Sequence, residues 1–162
     1  MEAFLSVKIS NEHIFEKTRY IDTILTIRSF ENLTPLANFL TPEEGYDPNF
    51  FCTQHGINDN GEYYANFNAY SKNGNFENPD DCIAALLDGI EHLPEEFRSI
   101  WAGCFSRTLD MGFNCGIAPR SITTPIYLEN LLRMQPDRVD IAITIYSHDP
   151  VHARKSGTSK TP

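Results

Sequence analysis

Two short stretches of this chain bring together residue types that do chemistry in many proteins. Cys52 and His55 lie three positions apart, and a thiol beside an imidazole could act as nucleophile and base. His148 and His152 would share one face of a helix and could bind a metal ion, but Pro150 between them disfavours a helix. No third residue is evident to orient Cys52 and His55. The sequence therefore predicts no catalytic residue, no metal site and no cofactor, and it favours a protein that is not an enzyme.

The cysteines as a set give no stronger indication of chemistry. They are widely spaced and form no C-x-x-C pair of the kind that holds zinc: Cys52, Cys82, Cys104 and Cys115. We expect reduced, mostly buried thiols that pack as small apolar side chains.

The acidic residues are the most informative chemical feature, because they are concentrated in the middle of the chain. Residues 31–100 contain 13 Asp and Glu but only Lys72 and Arg98, a net charge of −11 in a chain whose total is −9. A one-sided acidic surface suits a basic partner, since complementary fields speed encounter and orient docking. The predicted partner-binding residues lie in the stretches 43–62 and 80–96, and they are Glu43, Glu44, Asp47, Asp59, Glu62, Asp81, Asp88, Glu91 and Glu95.

The first part of this acidic stretch has other interpretations. The carboxylates between residues 43 and 59 could bind calcium, but the spacing of an EF-hand loop is absent. The sequence Asn-Asp-Asn-Gly at 58–61 is typical of a hairpin turn. The wider segment 41–61 is rich in proline, glycine and asparagine, and it predicts a long loop.

The sequence argues against nucleic acid and against membranes as partners. Phosphate contacts need clustered Lys and Arg, whereas the arginines of the C-terminal half are scattered along it. The longest apolar run, residues 82–87, is far shorter than the roughly 20 residues that span a bilayer. We therefore expect a cytoplasmic protein, whose oligomeric state the sequence leaves open.

Alternation of apolar and polar residues predicts the strands that would position these side chains. Five segments alternate in this way: Ala3–Ile9, Ile21–Arg28, Glu62–Tyr70, Phe105–Phe113 and Val139–Tyr146. Apolar stripes between them predict helices that begin at Thr34-Pro35, at Asp80 or Asp81, at Pro94 and at Thr124-Pro125. The inner stripe of the last helix would be Leu128, Leu131 and Leu132, and one face of the last strand would be Val139, Ile141, Ile143 and Ile145.

These elements predict an α+β fold, with a mixed or antiparallel sheet of four to five strands and helices packed on one face. Residues 1–147 would form a single domain. Residues 148–162, which hold no large apolar residue beyond Val151, would form a disordered tail. Whether the segment Ala3–Ile9 joins the sheet or pairs at its edge stays open.

Several of these segments together resemble an uncharacterised bacterial family, domain of unknown function 4279. The resemblance rests on the strand Ile21–Ile27, the helix start Leu33-Thr34-Pro35, a mid-chain helix, and the leucines and apolar strand within Leu128–Tyr146. The N-terminal strand, the loop 41–61 and the tail depart from the family's pattern. The family has no established catalytic residues and assigns none to this chain. More loosely, small acidic domains of this kind resemble the immunity proteins that neutralise toxins delivered between competing bacteria.

We therefore predict an acidic protein-binding domain, an immunity protein that neutralises a basic toxin domain by blocking its active site. Its carboxylates would take the place of an anionic substrate, and charge steering would give fast association. The alternative is a small enzyme or ligand-binding domain that uses the loop 41–61, with Cys52 or His55 in its pocket. A third hypothesis is a scaffold or oligomeric module.

Overall fold

The computed structural model of the protein describes residues 17–41, 50–72, 74–116 and 121–147. Within them lie five strands, Arg19–Ser29 (β1), Phe50–Ile57 (β2), Tyr63–Ala69 (β3), Ser106–Asn114 (β4) and Asp140–Tyr146 (β5). The helices are Thr34–Phe39 (α1), Pro79–Glu91 (α2), Glu95–Ala102 (α3) and Leu128–Met134 (α4). No helix of this described part combines the length and apolar character needed to cross a membrane. Several predicted features fall outside the described residues: the strand Ala3–Ile9, the carboxylates Glu43, Glu44 and Asp47, and the tail 148–162 with His148 and His152.

The five strands form one mixed sheet in the order β2-β3-β1-β4-β5. β1 lies at its centre and pairs antiparallel with β3 and β4, while β2 pairs antiparallel with β3. β5 pairs with β4 in parallel. A parallel neighbour needs a crossover connection, and the segment 115–139, which contains α4, supplies it. The predicted α+β fold with a mixed sheet is confirmed.

One face of the sheet holds the core. Along β1, Thr23, Leu25 and Ile27 are fully buried, whereas the residues between them are only partly buried. Phe67 of β3 and Leu109 of β4 lie opposite Leu25 and share this buried face. α2 covers it with the predicted apolar stripe Ile83, Leu86, Leu87 and Ile90. Burying each such side chain contributes roughly 1.5–3 kcal/mol, so this face fixes the position of the helices.

β2 occupies residues that the sequence predicts as loop. Phe50 and Cys52 are buried, and the Phe50 ring stacks on Phe67 with centroids 5.4 Å apart. The turn-forming residues flank the strand rather than fill it, and the hairpin turn closes with Gly61 at a φ of 79°. The loop prediction for 41–61 is therefore wrong over 50–57, while the hairpin turn at 58–61 is confirmed.

Two predicted helix caps are displaced. The first helix has Leu33 as its N-cap and includes Thr34, whose side chain makes no capping hydrogen bond. α2 is capped by Asn78, whose side-chain oxygen accepts the Asp81 N–H at 3.0 Å. Asp80 and Asp81 therefore lie inside the first turn, where their charges favour the positive end of the helix dipole.

The predicted start of the last helix is also wrong. α4 begins at Leu128, and the segment 121–127, which contains Thr124-Pro125, forms neither helix nor strand. The end of this segment is tied to α2, because Asp80 Oδ1 accepts the Tyr127 N–H at 2.8 Å. The buried carboxylate of Asp80 thus holds the chain that leads into α4.

α4 packs through a different face from the predicted one. Asn130 and Met134 are buried, and Asn130 donates to the Asp80 carbonyl at 3.2 Å. The helix therefore contacts α2 through a hydrogen bond of its buried Asn130 and not through its leucines. The predicted inner stripe is exposed: Leu128, Leu131 and Leu132.

β5 continues the core face of the sheet but is not covered. Ile143 pairs with the buried Met111, and Ile145 pairs with the buried Phe113. Because α4 packs against α2, the isoleucine face of β5 is left at the surface, and the Ile145 side chain is 67% exposed. Of the face predicted to be shared by Val139, Ile141, Ile143 and Ile145 only Val139 is buried, and the three isoleucines are exposed.

Candidate functional site

Three of the predicted partner-binding carboxylates come together where α2 ends and α3 begins. Asp88 and Glu91 lie in the last turns of α2, and Glu95 opens α3 directly after Pro94. Arg133 of α4 links the first two, donating through Nη2 to Asp88 and through Nε to Glu91 at 2.8 Å. The hydrogen bond with Glu91 is the largest cause that raises the pKa of Arg133 above its ordinary value.

Arg98 extends this group of charges along α3. Its Nε lies 3.3 Å from the Glu95 carboxylate, and its Nη2 donates to the backbone carbonyl of Glu91 at 2.9 Å. The side chains stay accessible, 93% exposed for Glu95 and 64% for Asp88, so each ion pair contributes only about 0–1 kcal/mol to stability. We call Asp88, Glu91, Glu95 and the exposed Glu96 the acidic junction. Arginines position the carboxylates of Asp88, Glu91 and Glu95, and all four side chains remain open to a partner.

The other predicted carboxylates lie apart from the acidic junction. Asp81 is in the first turn of α2, where its Oδ2 accepts from the Asn78 side chain at 2.7 Å. Asp59 and Glu62 belong to the turn between β2 and β3, where Glu62 accepts from the Asn58 side chain. The structure therefore brings together three of the nine predicted residues, and the three between 43 and 47 lie outside the described part.

Cys52 and His55 lack the contact that a nucleophile and its base require. The Cys52 thiol is buried and donates to the Gln54 carbonyl at 3.5 Å, and burial raises its pKa. The His55 side chain is exposed, and within the described part no hydrogen bond joins it to Cys52. In the described part of the chain, no three His, Cys, Asp or Glu side chains form a group that could hold a metal ion.

A polar cavity of about 370 Å³ lies where α3 ends and β4 begins, beside the turn that follows α4. Its lining includes Cys104 and Arg107 from the segment between α3 and β4, and Asp137 and Arg138 from the turn after α4. Arg107 pairs with Ile27 of β1, so its side chain belongs to the core face of the sheet. With only 8% of its surface exposed, Arg107 is a charged residue in an apolar layer.

The guanidinium of Arg107 is engaged on one side only. Its Nη2 donates to the carbonyls of Trp101 and Ala102 at the end of α3, and its carbon lies 5.0 Å from the centre of the Trp101 ring. Its Nε is buried without a hydrogen-bond partner. Among the described residues no carboxylate lies within 4.0 Å of this guanidinium. Nη1 is neither bonded nor enclosed there, so it is the nitrogen that opens onto the cavity.

The polar neighbours of Arg107 do not neutralise it. Asp137 accepts from the Trp101 indole N–H at 3.0 Å. Burial, partly opposed by the charge of Arg107, raises the pKa of the Cys104 thiol to about 11, so the thiol stays protonated at neutral pH. Within the described part neither group forms an ion pair with Arg107, so its guanidinium has no direct counter-ion there, although Asp137 is itself an acidic residue of the lining.

Arg138, which also lines the cavity, has a strained backbone conformation. Its φ of 50° makes it the one non-glycine residue of the described part in the left-handed region. The Val139 N–H bonds the Met134 carbonyl and the Arg138 N–H bonds the Gln135 carbonyl, which is the pattern of a Schellman turn. Glycine is the favoured residue at the left-handed position of that turn, so an arginine there costs conformational energy.

Sequence reasoning missed the cavity, although one of its residues carries a signal. Arg107 alternates with Phe105, Leu109 and Met111, and a charged residue within an apolar series marks a buried cation. The left-handed φ of Arg138 has no signal in the sequence, because it depends on the turn that follows the end of α4.

A smaller polar cleft of about 80 Å³ opens where the N-terminal half of β1 no longer pairs with β3. Tyr20, Asp22 and Asn68 line it, and Asn68 Oδ1 is buried without a partner. Burial raises the pKa of Asp22, and the charge of Asp110 adds to the effect. The cleft has room for a few water molecules, each of which takes about 30 Å³ in the liquid.

The chain matches no family model, no curated protein and no solved structure. The resemblance to domain of unknown function 4279 and to immunity proteins therefore stays a prediction. Function has to be argued from the charges and contacts of the described residues.

Proposed function

We propose that this chain is an acidic protein-binding domain with a basic partner, and specifically an immunity protein that neutralises a toxin domain by blocking its active site. The observation that carries the proposal is the acidic junction, where Asp88, Glu91 and Glu95 present neighbouring carboxylates to solvent. The total charge of −9 gives the whole molecule the same sign, so a basic partner is attracted before contact.

Arg133 and Arg98 support this surface rather than cancel it. The acidic junction holds four carboxylates against these two cations, so it keeps two negative charges. Ordering one long side chain on binding costs about 0.5–1.5 kcal/mol, and the arginines have already restricted Asp88 and Glu91. Exposed ion pairs are weak, so a partner's Lys or Arg can share these carboxylates at little cost to the fold.

A toxin domain is the basic partner that best suits these properties. An active site that acts on nucleic acid or nucleotides needs cationic groups to hold phosphate, and fixed carboxylates can accept the same charge-assisted hydrogen bonds. A cell that makes such a toxin needs an inhibitor that associates quickly, and opposite charges raise the association rate.

The test starts from the full chain, which is tagged and incubated with a lysate of its own cells. Proteins that bind to it are then eluted with a salt gradient. A basic protein recovered at one-to-one stoichiometry becomes the partner for association kinetics. Glu96→Lys reverses an exposed charge in the first turn of α3, and Glu129→Lys makes the same change in the first turn of α4, away from the acidic junction. We expect Glu96→Lys to slow association a few-fold at low salt and to flatten its salt dependence. Glu129→Lys should leave both unchanged.

Two results would contradict the proposal. If no basic protein is recovered from the lysate, the proposed partner does not exist and the proposal fails. Equal effects of Glu96→Lys and Glu129→Lys would show that total charge, and not the acidic junction, governs binding. Circular dichroism of both variants checks that each substitution leaves the helices intact.

A further inference from the structure

We propose that the cavity between Arg107 and Arg138 binds a small molecule through an oxyanion group, either a carboxylate or a phosphate. This inference is independent of the acidic junction, because it concerns a different surface and the opposite charge.

The first observation is a buried cation with unused donors. The Nη2 of Arg107 donates to two carbonyls of α3, its Nε has no hydrogen-bond partner, and its Nη1 faces the cavity. A guanidinium in this state has its charge and at least one N–H group available for an acceptor. An oxyanion at Nη1 would supply both the missing counter-charge and the missing acceptor.

The second observation is a second arginine in the lining of the cavity. Arg138 occupies the left-handed position of a Schellman turn, where glycine would avoid the strain. Strained positions of this kind cluster at binding and catalytic sites, and here the strain places a second cation at the rim of the cavity that Arg107 lines. An oxyanion between them would contact a cation on each side.

The carboxylates nearby do not occupy this position. Asp137 is hydrogen-bonded to the Trp101 indole N–H. Asp140 also lines the cavity, but within the described part neither its carboxylate nor that of Asp137 forms an ion pair with Arg107 or Arg138. A volume of about 370 Å³ lies within the size range of small-molecule sites, so the cavity admits more than the anionic group alone.

The chain supplies its own reporter for the test. Trp101 is its single tryptophan, and it contacts both Arg107 and Asp137, which line the cavity. The full-length protein is titrated with inorganic phosphate and, separately, with acetate, with sodium chloride keeping the ionic strength constant. The indole N–H resonance and the tryptophan fluorescence are followed. We expect a saturable change with at least one anion, and which anion produces it distinguishes a phosphate ligand from a carboxylate ligand.

Arg138→Gly is the deciding variant, because Arg107 also holds the end of α3 and its replacement perturbs the fold. Glycine relieves the left-handed strain, so the melting temperature should rise by about 2–4 °C while anion affinity falls about tenfold or more. Lys72→Ala, which removes an exposed cation beyond the far end of β3, should leave the affinity unchanged. Absence of a saturable change with either anion, or an affinity that Arg138→Gly leaves intact, would overturn the proposal.

Discussion

Gly89→Ala tests how closely α2 packs on β2. A Cβ built on Gly89 would lie 2.7 Å from the Cβ of Phe50 and closer still to two carbons of its ring. Carbon atoms without a bond between them settle about 3.5–4.0 Å apart, so the helix or the strand must move. Phe50 cannot rotate out of the way, because its own Cβ takes part in the clash and its ring stacks on Phe67.

Two opposing terms set the size of the effect. Alanine inside a helix is favoured over glycine by about 1 kcal/mol. Overpacking of a close-packed core costs about 1–3 kcal/mol, and a clash with a strand Cβ belongs at the upper end of that range. We therefore expect Gly89→Ala to destabilise the protein by about 2 kcal/mol, which for a chain of this size lowers the melting temperature by about 4–8 °C.

Urea unfolding followed by circular dichroism measures this change, with Gly103→Ala as the matched control. Gly103 follows α3 with a φ of −73°, and a Cβ there would have no atom closer than 3.4 Å. Its replacement should alter stability by less than about 0.5 kcal/mol. In a Phe50→Ala background the clashes with the two ring carbons are gone but the contact with the Cβ of residue 50 at 2.7 Å remains, so the cost of Gly89→Ala should become smaller without disappearing. A stabilising effect of Gly89→Ala in the natural sequence would refute the packing argument.

Three further substitutions test other contacts. Asp80→Ala removes a buried carboxylate that accepts the Tyr127 N–H and should cost roughly 1–3 kcal/mol in urea unfolding; a change below about 0.5 kcal/mol would contradict the anchoring role. Gly61→Ala forces a side chain into a φ of 79° and should cost roughly 1–2 kcal/mol by the same assay, whereas no cost would argue against that turn. For Asp22, burial and then Asp110 raise the native pKa, so the native state holds its proton more tightly than the unfolded chain. This contribution is present at low pH and is lost as the pH rises from about 3.9 towards the raised native pKa. Asp22→Asn should therefore gain stability relative to the natural protein as the pH rises, and melting temperatures at pH 3 and pH 7 check it; a difference that does not change with pH would count against it.

The strands could be predicted from the sequence where one side of the alternation is buried and the other is not. β1, β3 and β4 satisfy that condition, and their predicted positions agree with the structure to within a residue or two. β2 escaped prediction because its apolar residues are consecutive at Phe50, Phe51 and Cys52, and glycines and prolines surround them. A bulge after Cys52 shifts the register and hides the alternation further.

The exposure of the leucines of α4 and the isoleucines of β5 could not be predicted, because the periodicity of apolar residues does not indicate which element will pack against them. α4 is oriented by Asp80 on α2, which holds both Tyr127 and Asn130. These contacts join residues about 50 positions apart, so no local pattern contains them. The same holds for the acidic junction, where Arg133 reaches Asp88 across 45 positions. Counting charges within residues 31–100 therefore overstated how isolated these carboxylates are.

Arg133 and Arg107 show how the same side chain has different consequences in two environments. Arg133 has two carboxylates at the surface, where loss of either costs little. Arg107 is buried, and desolvating an ion costs several kcal/mol. Its known compensation is the negative end of α3, worth up to about 2 kcal/mol, and the Trp101 ring, worth about 0.5–2 kcal/mol. Because the buried Nε of Arg107 lacks an acceptor, we expect an added oxyanion to stabilise the protein more at Arg107 than at an exposed arginine. Anion binding should therefore raise the melting temperature of the natural protein, and Arg138→Gly should reduce that increase even though it raises the starting value.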